Sequence, residues 1–299
     1  MNNHSSLANS FSSQIQSANL IDLSLRLTLL DLILKPIGDW RIRFFILLLS
    51  CIGFVFPGQL RNPFIWGGLT IFTGMRVYFS WPLNDNHAYL LIYWCLAVTI
   101  CLLTTDSKKF LAINARYLIG FVFAFATIWK LLLSPDFIDG TFFKVNMLTD
   151  PRFESFAQLV GGLSYEKYWE LHDFVTQHID GKIVGLTQLP EIPNRYGLVA
   201  TFLTFYTAIL ELLVAITFLW PEGKGVSKYR DYLLLLFCAT VYSVATVEGF
   251  GWLLLAMGIS QIYNKKNNNL KILYLLVFAL ILFYREIPWV SLLLKSFSG

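Results

Sequence analysis

The chain has 299 residues, of which 56% are hydrophobic, 16% aromatic and only 14% charged, with a mean hydropathy of +0.58. A water-soluble domain carries about 25% charge, so the composition excludes an ordinary soluble enzyme and points to an all-α, polytopic transmembrane helix bundle. The net charge of +4 is small and sits in loops, which argues for orientation in a membrane rather than for nucleic-acid binding.

Residues 1–19 form a Ser/Asn/Gln tail without an apolar signal core, expected to be disordered, and residues 20–299 form the transmembrane domain. Leu20 to Ile37 spreads Asp22, Arg26 and Asp31 through leucines and stops at Pro36. That pattern fits an amphipathic interfacial helix, or a short re-entrant one, better than a full span. Arg41–Pro57, Asn62–Phe79, His87–Thr104 and Phe110–Leu133 then read as successive spans. At 1.5 Å per residue each approaches the roughly 30 Å of a hydrocarbon core, the first of them marginally.

Ser134 to Tyr196 is the only long hydrophilic stretch, and it is expected on the extracytoplasmic side. Two short helices are predicted in it, Pro151–Val160 and Ser164–His178 with Ser164 as N-cap. The second places Tyr165, Tyr168, Trp169, His172 and Val175 on one face, as in a lid lying on the membrane surface. Gly197–Trp220 is a further span carrying Glu211 at mid-depth. The 32-residue apolar run Tyr232–Tyr263 is interrupted at Val247-Glu248-Gly249-Phe250-Gly251 and reads as two half-length helices meeting at a break. Leu270–Tyr284 closes a total of seven or eight spans. The four cysteines (Cys51, Cys95, Cys101, Cys238) lie in apolar runs without metal-ligand spacing, so buried free thiols are expected and no metal site.

With the break counted as a turn, Lys108/Lys109, Lys224/Lys228/Arg230 and Lys265/Lys266/Lys271 share one side, which the positive-inside rule makes cytoplasmic. Arg41 and Arg43 fall on the other face. Lys130 and the long loop then face away from the cytoplasm, in a cellular or inner membrane.

Lys130 stands out because it is the lone charge from Tyr117 to Leu133, in a helix that breaks four residues later at Ser134-Pro135. A cation at the centre of a bilayer costs roughly 2.5–3.5 kcal/mol, less near an end. Two readings fit it: a functional cation facing the bundle interior, or a lysine snorkelling to the nearer interface. Asn84-Asp85-Asn86-His87 and the Glu248 turn are expected at the same end of the bundle as Lys130. Arg76 and Glu211 lie within spans, and Glu211 has Arg76 or Arg116 as structural partners on offer.

The stretch Trp81…Asn84-Asp85-Asn86-His87-Ala88-Tyr89-Leu90 resembles the W-x-N-N-H-x-Y-L segment of vitamin K-dependent γ-carboxylases and of bacterial proteins sharing their horizontally transferred transmembrane domain. Ala126-Thr127-Ile128-Trp129-Lys130-Leu131, followed by Asp136-Phe137-Ile138-Asp139-Gly140, resembles the family's helix ending A-G-x-x-K-L and its aspartate-glycine turn, with Thr127 where the family has glycine. Glu211-Leu212-Leu213 and Gly249-Phe250-Gly251-Trp252 resemble two later family segments. The likeness covers roughly residues 40 to 265.

The resemblance implies chemistry on a reduced quinone of the vitamin K type, with O₂ and CO₂ as co-substrates in a full carboxylase. Lys130 is then the general base that deprotonates the hydroquinone, a step suited to an amine in an apolar pocket. Asn86, His87, Trp129, Phe142 and Glu248 are the candidate substrate-binding residues. The competing expectation is a bundle that holds a quinone or lipid, or docks another membrane protein, without turnover.

Overall fold

The computed structural model describes residues 19–35, 38–82, 84, 86–179, 192–244, 247, 249–262 and 268–286. The N-terminal tail up to residue 18, Glu248, Lys265, Lys266 and everything after Glu286 lie outside the described residues, and with them the expectations made there. Among the described residues all regular structure is helical. The helix starts follow from local chemistry. Asn19, Asp39 and Asn62 cap the first three helices by accepting hydrogen bonds from the amides of Ile21, Arg41 and Phe64. These helices are α1 (Leu20–Leu34), α2 (Trp40–Val55) and α3 (Pro63–Phe79); α4 (Asn86–Leu103) and α5 (Ser107–Ile128) follow.

Of the two expectations for α1, the interfacial one does not fit: the helix is packed inside the bundle, with Leu25, Thr28, Leu29 and Asp31 fully buried. At 15 residues it remains shorter than a full span. Of the three charges noted in its sequence, Asp31 is buried, and Ser24 and Thr28 recur with it at helical spacing and are buried too. Each hydroxyl is satisfied: Ser24 donates to the carbonyl of Ala256 at 2.6 Å, Thr28 donates to that of Ser24, and the Trp94 indole donates to Thr28 at 3.0 Å. Buried hydroxyls paired in this way carry little penalty. The thiol expectation is corrected at one position, since Cys51 is exposed while Cys95, Cys101 and Cys238 are buried.

After α5 the chain makes one π-type turn, Trp129–Leu133, and stops at Ser134 before Pro135. The stretch from Pro135 folds into a small packed cap, with more short helices than the two expected. It comprises α6 (Pro135–Ile138), α7 (Thr141–Thr149), a 3₁₀ turn at Pro151–Phe153, α8 (Glu154–Leu159) and α9 (Tyr165–Ile179). Phe137, Phe143, Met147, Phe153, Tyr168 and Leu171 form its core against the start of the next helix, α10 (Asn194–Leu219), at Tyr196, Ala200 and Leu203. Ser164 caps α9 as expected, accepting from the Lys167 amide. Tyr168 and His172 both reach the carbonyl of Leu148, so one face of α9 seals the end of α7. Gly140 joins α6 to α7 at φ +79°, a conformation that L side chains rarely adopt.

α10 (Asn194–Leu219) packs along α5, and α11 (Arg230–Val244), α12 (Phe250–Gln261) and α13 (Asn268–Glu286) complete the bundle. The break in the long apolar run is present. Gly249 ends it at φ +78°, and a side chain there would collide with Asp31 of α1 and with Lys35, which caps that helix. α12 is buried along its whole length from Gly251. Among the described residues, two helices are long and apolar enough to cross a membrane by length and composition, Ser107–Leu133 and Asn194–Leu219. Stretches Asn86–Leu102, Phe250–Gln261 and Asn269–Phe283 are apolar but shorter. Many outward-facing side chains are large and apolar, among them Phe64 (85% exposed), Leu132 (75%) and Leu198 (72%).

Candidate functional site

The cap does not close flush on the bundle. Between them lies a cavity of about 220 Å³. The cap contributes Phe142, Phe143, Asn146, Asp150, Arg152 and Phe153; α10 contributes Leu203, Tyr206, Thr207 and Glu211; α11 contributes Phe237, Thr240, Val241, Tyr242 and Val244. Val247 and Phe250, on either side of the helix break, line it as well, and so does Lys130.

Lys130 reaches this cavity because of where it sits in the helix. It follows the buried Phe123 and Thr127 at helical spacing, in the π-type turn that ends α5, while Trp129, Leu131, Leu132 and Leu133 are exposed. Its Nζ donates to Glu211 Oε1 at 2.6 Å and lies 4.9 Å from the ring centroid of Phe137. Both are contacts that a cation makes. The Lys130 side chain is 23% exposed and that of Glu211 8%. Glu211 Oε2 is buried and has no hydrogen-bond partner among the described residues.

Glu211 therefore pairs with Lys130, a pairing that the sequence did not single out. Arg116 instead donates to the carbonyls of Phe218, at 2.8 Å, and Trp220, and lies 3.8 Å from Glu222. It satisfies the last carbonyls of α10, where a cation also meets the negative end of the helix. Arg76 lies beside Gly38, in the turn between α1 and α2.

The other expected site residues divide between two places. Phe142 lines the Lys130 cavity. Asn86 and Trp129 do not; they line a separate, open, mainly apolar groove of about 670 Å³ between α4 and α5, with Tyr89, Tyr93, Phe121 and Phe125. His87 is one ring removed from the cavity: its imidazole lies 5.7 Å from Phe250, which is part of the wall. Through Phe250, His87 at the start of α4, Lys130 and the helix break come together at one end of the bundle. Glu248 lies outside the described residues.

Sequence reasoning passed over two pairs at the site. Tyr206 and Thr240 are hydrogen bonded at 2.7 Å, and because Thr240 donates to the Leu236 carbonyl, Tyr206 is the donor between them. Asp150 and Arg152 form a multiply bonded pair in the cap wall. Burial works to raise the Asp150 carboxyl, but the hydrogen bonds and charge of Arg152 outweigh it and hold the group below its ordinary value. Thr207 and Glu211, one turn apart on an apolar helix, were the signal available for a polar face turned inward. No protein-family model, curated protein or solved structure matches this chain.

Proposed function

We propose that this is a multi-pass membrane protein whose seam cavity binds the ring of a lipid-soluble aromatic alcohol, a reduced quinone, and removes a proton from it. The observation carrying this reading is the Lys130–Glu211 pair, held at 2.6 Å in the wall of a cavity otherwise built mainly from aromatic and aliphatic side chains. A buried ion pair is a poor stabiliser compared with apolar packing, and polar groups grouped in a cavity are the default signature of a binding site. A volume of about 220 Å³ accommodates a ring of one or two cycles; an isoprenoid tail would lie outside it. The apolar outward faces support a lipid environment. The helices too short for a straight crossing then sit in a locally thinned bilayer or at its boundary. The lysine and arginine asymmetry of the sequence supports an extracytoplasmic position for the cap and Lys130. The resemblance to vitamin K-dependent carboxylases supports the choice of a quinol and of O₂ as co-substrate.

The test has two steps. Protein purified from its membrane is extracted and its lipids analysed by mass spectrometry for a co-purifying quinone. O₂ uptake is then followed with a soluble hydroquinone. Uptake abolished in Lys130→Ala and in Glu211→Gln supports the reading. A bound quinone without uptake makes the protein a binder, and neither signal in wild-type protein ends the proposal. Orientation is tested by labelling single cysteines at 108, 146 and 228 in intact cells; labelling from outside at 146 alone is the expected pattern.

A further inference from the structure

Within the pair, the geometry points to Glu211, through Oε2, and not Lys130, as the atom that accepts the substrate's proton. This inference rests on the seam cavity being the ligand site. Nζ of Lys130 is already committed as a cation, donating to Oε1 at 2.6 Å and sitting over the Phe137 ring. An ammonium has three donors and no acceptor, so it cannot take a proton while the pair is intact. Oε2 is the acceptor left open: buried, without a partner among the described residues, and part of a side chain that lines the cavity. Such an atom costs free energy unless a donor meets it. A ligand hydroxyl supplies that donor.

The transfer is balanced and leaves the number of buried charges unchanged. The ligand O–H bond breaks, a bond from that hydrogen to Glu211 Oε2 forms, and the electron pair stays on the ligand oxygen. Before the step the Lys130 ammonium is countered by the carboxylate; after it, by the aryloxide. No electron transfer and no co-reactant are involved. An amine base would first have to hand its own proton to Glu211 and so dismantle the pair. Lys130 is thus the fixed counter-cation, and its remaining N–H groups are free to hold the aryloxide once it forms. The roles expected from the sequence are exchanged.

The probe is fluorohydroquinone, added anaerobically to the full-length protein in detergent or lipid. Fluorine NMR reports binding and ring ionisation, and infrared difference spectroscopy reports carboxyl protonation. Expected for wild type is a bound fluorine signal shifted toward the aryloxide, together with a new protonated-carboxyl band and loss of carboxylate absorption. Glu211→Gln should keep the fold and lose the band and the shift. Lys130→Arg should retain both, because arginine preserves the cation and cannot act as the base. A bound probe that stays a neutral phenol in wild type, or a band surviving in Glu211→Gln, overturns the inference. So does a Lys130→Arg protein that is folded, binds the probe and fails to ionise it. No bound signal in wild type would instead remove the ligand-site reading beneath it.

Discussion

The bundle and the cap are built on different principles, and the candidate site lies where they meet. In the bundle the decisive contacts are distant in sequence: α1, residues 20–34, is buried against α12, residues 250–261, and Ser24 bonds to Ala256. In the cap the contacts are local, with short helices closed by their own caps and turns around a core drawn mainly from residues 137–171. The bundle turns large apolar side chains outward, while the cap is the more polar region. Two surfaces assembled so differently do not interdigitate completely, and the gap holds the buried ion pair. A polar constellation is more cheaply accommodated at such a seam than in either core, because neither core need be interrupted to hold it.

The sharpest way to break this comparison is at the pair itself. Lys130→Met leaves the Glu211 carboxylate uncompensated and should cost about 3–5 kcal/mol, whereas Lys130→Met with Glu211→Leu should recover most of the loss. Thermal unfolding in detergent measures both; additive losses would show that the two residues do not act as a pair. Next, Met147→Ala in the cap core and Leu254→Ala in the bundle should each cost about 2–5 kcal/mol, the wild-type side chains being fully buried. If the cap opens as its own unit, Met147→Ala accelerates proteolysis within residues 134–179 without moving the main unfolding transition. A common shift for both variants would make cap and bundle one cooperative body.

A smaller effect is expected at the tie between the regions. The Tyr196 hydroxyl donates to the Lys144 carbonyl at 2.7 Å, joining the start of α10 to α7. Tyr196→Phe should cost about 0.5–1.5 kcal/mol, read as faster amide exchange in α7. The smallest effect is in acid. The folded-state value of Asp150 is depressed below its ordinary 3.8, so its contribution is complete above that value and is lost as pH falls below it through the folded value. Cap proteolysis compared at about pH 5 and about pH 3 should rise more in wild type than in Asp150→Asn, which carries no such proton linkage.

Much of this was legible in the residues alone. Periodicity, Pro63, Pro135 and the Asn and Asp caps fix where helices begin and end, and the Ser164 cap and the break at Gly249 follow from local backbone preferences. Lys130 and Glu211 were conspicuous as charges in apolar helices. What the sequence could not decide was their pairing. Arg116 and Lys130 lie about four turns apart on one helix and therefore on nearly the same face. Which of them meets Glu211 depends on the register of α10 against α5, a property of packing between distant segments. The same limit misplaced α1: its pattern of leucines and polar residues is the same whether the polar groups face water or the hydroxyls and carbonyls of a neighbouring helix. Only the position of α12 against it decided that they face inward. Local chemistry determined the elements; the choice of neighbours, and with it the site, came from long-range packing that burial and hydrogen-bond satisfaction select together.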